Sequence, residues 1–368
     1  MALLRRIARS ILRSVSGHRL IRKIATFILE THHGELPASV SSDPGLFIDS
    51  SGNRITLHTG LRDWLKPDWR SMFAPATAGG SGVPIVPEAA AHASRRSVEE
   101  ALRFLHTTGF ELEGKKVVEI GCYDGTRSFA LAGLGAAGVT ATDIPEYYLN
   151  QNEHATLSDD EIESGRQLQI LRFTVGVEVC ERVFGWPDLK ACVAFREDDI
   201  CASDLPDEEY DLVVSWEVLE HVQRPDDLFR SIARILRPGG VSFHEYNPFF
   251  SMNGGHSLCT LDFLWGHARL STADFARYLQ ELRPREAEMA MRFFTRNLNR
   301  MSFGDIRGSV QEAGLELVSF LPWFDSFDER HLDREIFESI RALYPTVTPE
   351  DMLARNVWIL LRKPDSTW

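Results

Sequence analysis

Cysteine is scarce in this chain. The five that occur among 368 residues, Cys122, Cys180, Cys192, Cys201 and Cys259, are odd in number and never fall in a CxxC spacing. That excludes a disulfide framework and a zinc ribbon, and it fits a reducing compartment. Long hydrophobic runs are also missing: no apolar stretch approaches the ~18 residues of a membrane span. The expectation is a cytoplasmic chain not integral to a membrane. Basic charge is lacking from the body of the protein. The formal net charge is −13, yet residues 1–29 hold six Arg, one Lys and no acid, so the remainder carries −20. An acidic body lacks the footprint of a protein that grips long nucleic acid, which leaves small-molecule or glycan partners.

Apolar residues make up 43% of the chain, enough for a sizeable core. Residues 1–30 read as a basic amphipathic helix, with Leu4, Ile7, Ala8, Ile11, Leu12 and Val15 at helical spacing and Arg5, Arg6, Arg9 and Arg13 on the other faces. Three readings stay open for it: packing on its own domain, peripheral contact with an anionic membrane surface, or a cleaved organelle presequence. Residues 31–92 read as an extension and linker, with a hairpin in GLFIDSSGNRITL turning at Ser51-Gly52-Asn53 and a flexible APATAGGSGVPIVP. The main domain is expected over 93–368. Ser97-Val98-Glu99-Glu100 has capping-box spacing and predicts a helix start. Strands and helices then alternate: KKVVEIG, a helix near 127–134, VTATDI, a helical insert at about 146–192 ended by Trp186-Pro187, VAFREDDI, YDLVVSW, a helix from about 225 to 236, and VSFHEY. Such alternation predicts an α/β fold, a doubly wound and mainly parallel sheet with helices on both faces.

Residues 117–127, VVEIGCYDGTR, sit at the carboxyl end of the first of these strands, where an open α/β sheet places its ligand. A dinucleotide fingerprint needs a glycine where this chain has Tyr123, and a third glycine that it lacks. A bulky ring there blocks a pyrophosphate, which argues against a nicotinamide oxidoreductase. Acids end the next two strands: Asp143 in VTATDI, placed to accept from ribose hydroxyls, and Asp198-Asp199 in REDDICASDLP, where a carboxylate could accept from an adenine amino group beside the Ile200 N–H.

Glu119, Gly121 and Gly125 form the ExGxxxG pattern, and EEYDLVVSWEVLEHVQRPDDLFRSIARILRPGGVSFHEYNP follows. Together they resemble the class I (Rossmann-like) S-adenosylmethionine (SAM)-dependent methyltransferases of the type 11/23 groups, closely over 97–245 and loosely over 301–363. The resemblance implies a seven-stranded sheet of order 3-2-1-4-5-7-6. It implies SAM as cofactor, held by Glu119, Gly121, Tyr123 and Gly125 at the methionine moiety, Asp143 at the ribose, Asp199 and Ile200 at the adenine, and Ser215 and Trp216 near the sulfonium. An O-methyltransferase needs a base on the acceptor side. The segment HEYNPFFSMNGGHSLCTLDFLWGHARLS, opening an acceptor-side insert at about 246–300, offers Glu245, His256 and His267, with His244 and Asp262 nearby. Its aromatics suit a small cyclic acceptor, glycan or lipid-linked. Glu217, Glu220 and His221 in EVLEH, read as one helix face, could ligate Mg²⁺ or Mn²⁺, as in the similar metal-assisted ribose and quinone O-methyltransferases. A SAM-fold scaffold without catalysis is the remaining alternative. Residues 283–300 read as a basic helix with core Met and Phe, and Thr348-Pro349-Glu350-Asp351 as a helix start.

Overall fold

The computed structural model describes residues 36, 37, 39, 40, 45–67, 69, 70, 86–144 and 159–365. The basic segment 1–30, most of the linker and the first part of the 146–192 insert lie outside them. In chain order the elements are β1 (Gly45–Ile48), β2 (Arg54–Leu57), α1 (Leu61–Leu65), α2 (Glu88–His106), β3 (Lys116–Ile120), α3 (Thr126–Gly133), β4 (Gly138–Asp143), α4 (Asp159–Phe184), α5 (Leu189–Cys192), β5 (Val193–Glu197), β6 (Tyr210–Trp216), α6 (Pro225–Ile235) and β7 (Leu236–Tyr246). The insert follows as α7 (His256–Cys259), α8 (Gly266–Arg269), α9 (Thr272–Leu282) and α10 (Ala287–Arg292). Then come α11 (Phe303–Glu312), β8 (Glu316–Phe324), α12 (Ser326–His331), α13 (Arg334–Leu343), α14 (Pro349–Leu353) and β9 (Ala354–Arg362).

Strands β3 to β9 form one sheet of order β5-β4-β3-β6-β7-β9-β8. Numbered within the sheet this is 3-2-1-4-5-7-6, the order expected. The first five strands are parallel, and β9 runs antiparallel to both neighbours. Every residue of β6, YDLVVSW, is buried, as a strand covered on both faces requires. Alternation along the strands divides the core in two. Val117, Leu212, Val214 and Phe243 pack under α2, α3 and α4. Val118, Ile120, Val213 and Ile359 pack under α6 and α11. Helix α6 shows how: Pro225 starts it, Asp226 and Asp227 fill its first turn, and Leu228, Phe229, Ile232 and Ile235 share its buried face. Each of these four side chains contributes about 1.5–3 kcal/mol by burial. Asp226 also accepts from Ser309 Oγ of α11 at 2.5 Å, tying the two helices together.

Three boundaries differ from expectation. Helix α2 begins at Glu88 after Pro87 and runs straight through Ser97, because EAAAHAS is itself strongly helix-forming and buries Ala91 and Ser94, the latter hydrogen-bonded to Thr126 of α3. The capping-box spacing at Ser97 is therefore interior to a helix. The 283–300 segment is helical only to Arg292 and continues as a π turn, Phe293–Asn297; Phe293 and Phe294 are core, as expected. The EVLEH segment is a 3₁₀ turn over Leu219–His221, not an α-helix, so the shared face that would join Glu217 to Glu220 and His221 does not exist. Other expectations hold: α4 stops at Phe184, just before Trp186-Pro187, and Thr348 and Asp351 form a reciprocal capping box at α14.

A third apolar cluster lies beneath the insert, and the β1–β2 hairpin belongs to it. Phe47, Ile55 and Leu57 pack with Phe263, Trp265, Phe275 and Tyr278. Polar contacts reinforce the joint. Asp274 accepts from Ser50 N and Oγ at 2.8 and 2.7 Å, and Arg62, almost fully buried in α1, donates to the Ser257 carbonyl at 2.7 Å and pairs with Glu286 at 2.8 Å. The extension thereby becomes part of the insert's wall.

Candidate active site

A cavity of about 660 Å³ opens where β3, β4, β5 and β6 end, roofed by the insert. The turn after β3 shapes its floor. Gly121 and Gly125 take φ of +70° and +74°, conformations that glycine adopts without penalty. A Cβ on Gly121 would lie 2.4 Å from Val218 Cγ2, and one on Gly125 2.5 Å from the Phe173 ring. Between them Tyr123 is held at φ +52°, with its backbone N–H donating to Asp143 Oδ2 at 2.8 Å and its ring under the Arg172 guanidinium. Asp143 Oδ1 accepts from the Ile144 N–H at 2.8 Å, so two backbone donors aim this carboxylate.

Gly121, Tyr123, Asp143, Asp199 and Trp216, five of the residues expected to hold cofactor, line this cavity. Four do not. Glu119 is buried behind the turn, where Ser128 Oγ donates to it; burial raises its pKa to about 8, so it is a protonated structural carboxyl near neutrality. Gly125 packs against Phe173, Ile200 points into the core, and Ser215 Oγ is bonded to His244 Nδ1 at 2.7 Å. At the end of β5 the two acids differ. Asp199 is half-exposed and engaged, accepting from Arg224 Nη2 at 2.7 Å and from the Cys201 N–H at 2.9 Å. Asp198 is buried, accepts from Ser203 Oγ through Oδ2, and leaves Oδ1 without a partner; burial raises its pKa. Of the two, Asp198 keeps a carboxyl oxygen free of any partner. Sequence reading did not assign Arg127 a role, yet it lines the cavity, stacks over Trp216 and leaves Nε buried without a partner.

The acceptor end is built differently. Of the expected bases only His256 reaches the cavity. His267 Nε2 is bonded to the Phe249 carbonyl at 2.7 Å inside the insert core, and burial lowers its pKa to about 4. Glu245 accepts from Asn356 Nδ2 at 2.8 Å. Both are corrections to the sequence expectation: tertiary packing turns these side chains away. His256 stands at φ +48°. Tyr123, Glu217 and His256 are three of the six non-glycine residues with positive φ among those described, and all three line the cavity. Each such conformation costs about 1–3 kcal/mol.

Glu220, His221 and His256 bring one ligand atom each within 4.8 Å of one another. Glu220 is fully buried, its carboxyl meeting the amide groups of Asn247 and its own backbone N–H only at lax geometry, and His256 Nε2 is buried without a partner 4.0 Å from Glu220 Oε1. Burial drives the Glu220 pKa well up and the His256 pKa well down. His221 Nδ1 lies 2.5 Å from the Asn297 carbonyl; a carbonyl only accepts, so Nδ1 carries the proton and Nε2 the lone pair. Glu217 stands apart from this group and accepts from Asn247 Nδ2 at 3.0 Å. The third partner of Glu220 and His221 is thus His256 of the insert, in place of Glu217.

A family model described as "Methyltransferase domain" matches residues 90–320, and the chain belongs to that family. The family implies S-adenosylmethionine as methyl donor. A curated relative, the ubiquinone biosynthesis O-methyltransferase of Pseudomonas putida strain F1, is 31% identical over 132 residues, 36% of this chain and 44% of the relative; the match thus spans under half of that relative's length. Among solved structures, an S-adenosylmethionine-dependent methyltransferase from Mesorhizobium loti is similar at 14% identity, covering 71% of this chain and 96% of that one with a TM-score of 0.38. The [4+2]-cyclase SpnF is similar at 16% identity, covering 89% and 100%, with a TM-score of 0.42. No described helix is long and apolar enough to cross a membrane.

Proposed function

We propose that this chain transfers a methyl group from SAM to a hydroxyl oxygen of a small acceptor, of the glycan, quinone or lipid-linked kind. The observation that carries the reading is a set of unpartnered buried polar atoms on residues lining one cavity: Arg127 Nε and Asp198 Oδ1 toward the strand ends, and His256 Nε2 toward the insert, beside the buried Glu220. Buried polar atoms are rarely left unpaired, and here a ligand would pair them. Asp143 would hold the ribose, Asp198 the adenine amine, and Arg127 the methionine carboxylate. SAM, when bound, supplies a methyl already activated on a sulfonium. The protein's share is alignment and removal of the hydroxyl proton. His256, neutral because burial disfavours its charged form, would accept that proton as the O–C bond forms and the C–S bond breaks.

A second reading concerns a divalent cation. Glu220, His221 and His256 supply three donors for one: ligand bonds of about 2.0–2.2 Å in a tetrahedron put donors roughly 3.3–3.6 Å apart, so His256 Nε2 and Glu220 Oε1, at 4.0 Å, would close slightly around the ion, and an N₂O set suits Mn²⁺ or Zn²⁺ better than Mg²⁺. Such an ion would lower the pKa of an acceptor hydroxyl. Calorimetric titration with SAM and with S-adenosylhomocysteine, followed by assay of hydroxylated acceptors with and without EDTA, tests both readings. Micromolar binding of the two nucleosides is expected, and binding of neither overturns the proposal. If Mn²⁺ raises the thermal midpoint of the wild type and not of Glu220→Gln, the cation is placed; equal shifts remove it. The seven cations of residues 1–29, with no acid among them, support peripheral contact with an anionic membrane surface. Co-sedimentation with phosphatidylglycerol vesicles should disappear when they are deleted, and its persistence would end that proposal.

A further inference from the structure

The acceptor end of the cavity holds two cations that no sequence motif announces. Lys66 caps α1, the helix whose Arg62 donates to the Ser257 carbonyl next to His256, and its charge bears on His256. Arg296 stands in the π turn, next to Asn297, whose carbonyl holds His221. Both line the cavity, and among the described residues neither makes a hydrogen bond through its side chain or an ion pair. Of the cavity's acids, Asp199 pairs with Arg224, Asp143 takes two backbone N–H groups, and Glu217 accepts from Asn247 while its charge reaches Lys66 without an ion-pair contact. Arg355, whose charge bears on Lys66, is itself tied to Asp328 at 2.6 Å. In a chain whose body is strongly acidic, two cations without a direct ion-pair partner in one cavity require an explanation.

We propose that the acceptor is an anion, a hydroxylated molecule carrying a carboxylate or phosphate that Lys66 and Arg296 hold while its hydroxyl faces His256. The inference rests on the methyltransferase reading and narrows it from any hydroxylated acceptor to an acidic one. A guanidinium matches the planar or tetrahedral oxyanion with a fork of donors, and an ammonium adds a point charge from a second direction. Holding the anion at two points leaves the hydroxyl little freedom to rotate away from the methyl. Independent support comes from Lys66 itself: it is largely withdrawn from water, and burial lowers its pKa to about 8 although the Glu217 charge opposes the shift, so a bound anion would supply the direct contact that Glu217 does not make.

The test reads Lys66 directly and needs no knowledge of the acceptor's skeleton. The full chain, with and without S-adenosylhomocysteine, is acylated briefly with acetic anhydride, and the rate at Lys66 is followed by peptide mass spectrometry with exposed lysines as internal controls. Inorganic phosphate or benzoate is expected to slow acylation of Lys66 about fivefold or more, whereas neutral benzamide leaves it unchanged. Phosphate and benzoate as separate arms identify the kind of anion. In Arg296→Gln the concentration giving half-protection should rise about tenfold; Arg296 is exposed, so this variant should fold. An unchanged Lys66 rate with both anions, or protection undiminished in Arg296→Gln, overturns the proposal. Loss of S-adenosylhomocysteine binding, measured on the same samples, would strike the methyltransferase reading instead.

Discussion

The two ends of the cavity are made in opposite ways. The cofactor end is assembled from the carboxyl ends of adjacent parallel strands, each contributing a residue or two next to its own turn: Gly121 and Tyr123 after β3, Asp143 on β4, Asp198 after β5, Trp216 on β6. The acceptor end draws on Lys66, Glu217 to His221, His256 and the Phe293–Asn297 turn, four stretches far apart in the chain and joined only by packing. A parallel sheet fixes where its strand ends lie, so local sequence suffices for the first. The second exists only if the hairpin, the insert and the 3₁₀ turn dock together.

Arg62→Met should break the comparison most sharply. It leaves Glu286 and the Ser257 carbonyl unanswered, and loss of one partner of a buried pair destabilises by about 3–5 kcal/mol. Denaturant unfolding should show that loss, with acceptor turnover abolished while S-adenosylhomocysteine affinity of the folded fraction stays within about twofold; equal damage to both ends would mean that they are not separable. Gly121→Ala attacks the other end. Its methyl would meet Val218 Cγ2 at 2.4 Å in a left-handed backbone, strain of about 1–2 kcal/mol before any clash, so nucleoside affinity should fall about tenfold or more in calorimetry.

A smaller effect separates the strand-end acids. Asp143→Ala and Asp198→Ala should each weaken SAM binding by about 1–3 kcal/mol, the range for a lost charged hydrogen bond. Asp199→Ala should cost under ~1 kcal/mol, because it removes an exposed pair with Arg224. Reversal of that ranking would restore Asp199 as the adenine contact.

The smallest effect is in pH dependence. Glu119 has its pKa raised to about 8 in the folded state, so its contribution to stability is full below the ordinary carboxyl value near 4.5 and drains away as pH rises toward 8. Glu119→Gln should flatten the fall in thermal midpoint between pH 5 and 8. His267 works the other way: its pKa lowered to about 4 stabilises above 6.5 and is lost as pH falls toward 4. A variant with the wild-type alkaline slope would show that Glu119 ionises in the fold.

The sequence alone determined the alternating, mainly parallel sheet and the glycine turn after its first strand, and the strand order followed from the resemblance to the methyltransferases. Short apolar strand runs, strand-end acids and glycines at fixed offsets are local consequences of a buried parallel sheet and a tight turn, and they survive being read one segment at a time. It left the partition of Asp198 from Asp199 open, because burial and the Arg224 partner arise from α6 folding back. His256 and His267 stand eleven residues apart in the same aromatic segment and read alike; one faces the cavity and the other the core because the Phe249 carbonyl claims His267. The EVLEH residues were read on a helix that the chain does not form there. Lys66 and Arg296 carried no signal, since a lone cation before a proline and one among several arginines are ordinary in any sequence. Only the docking of hairpin, insert and sheet places them around one cavity, and that long-range packing of apolar side chains is what no local pattern records.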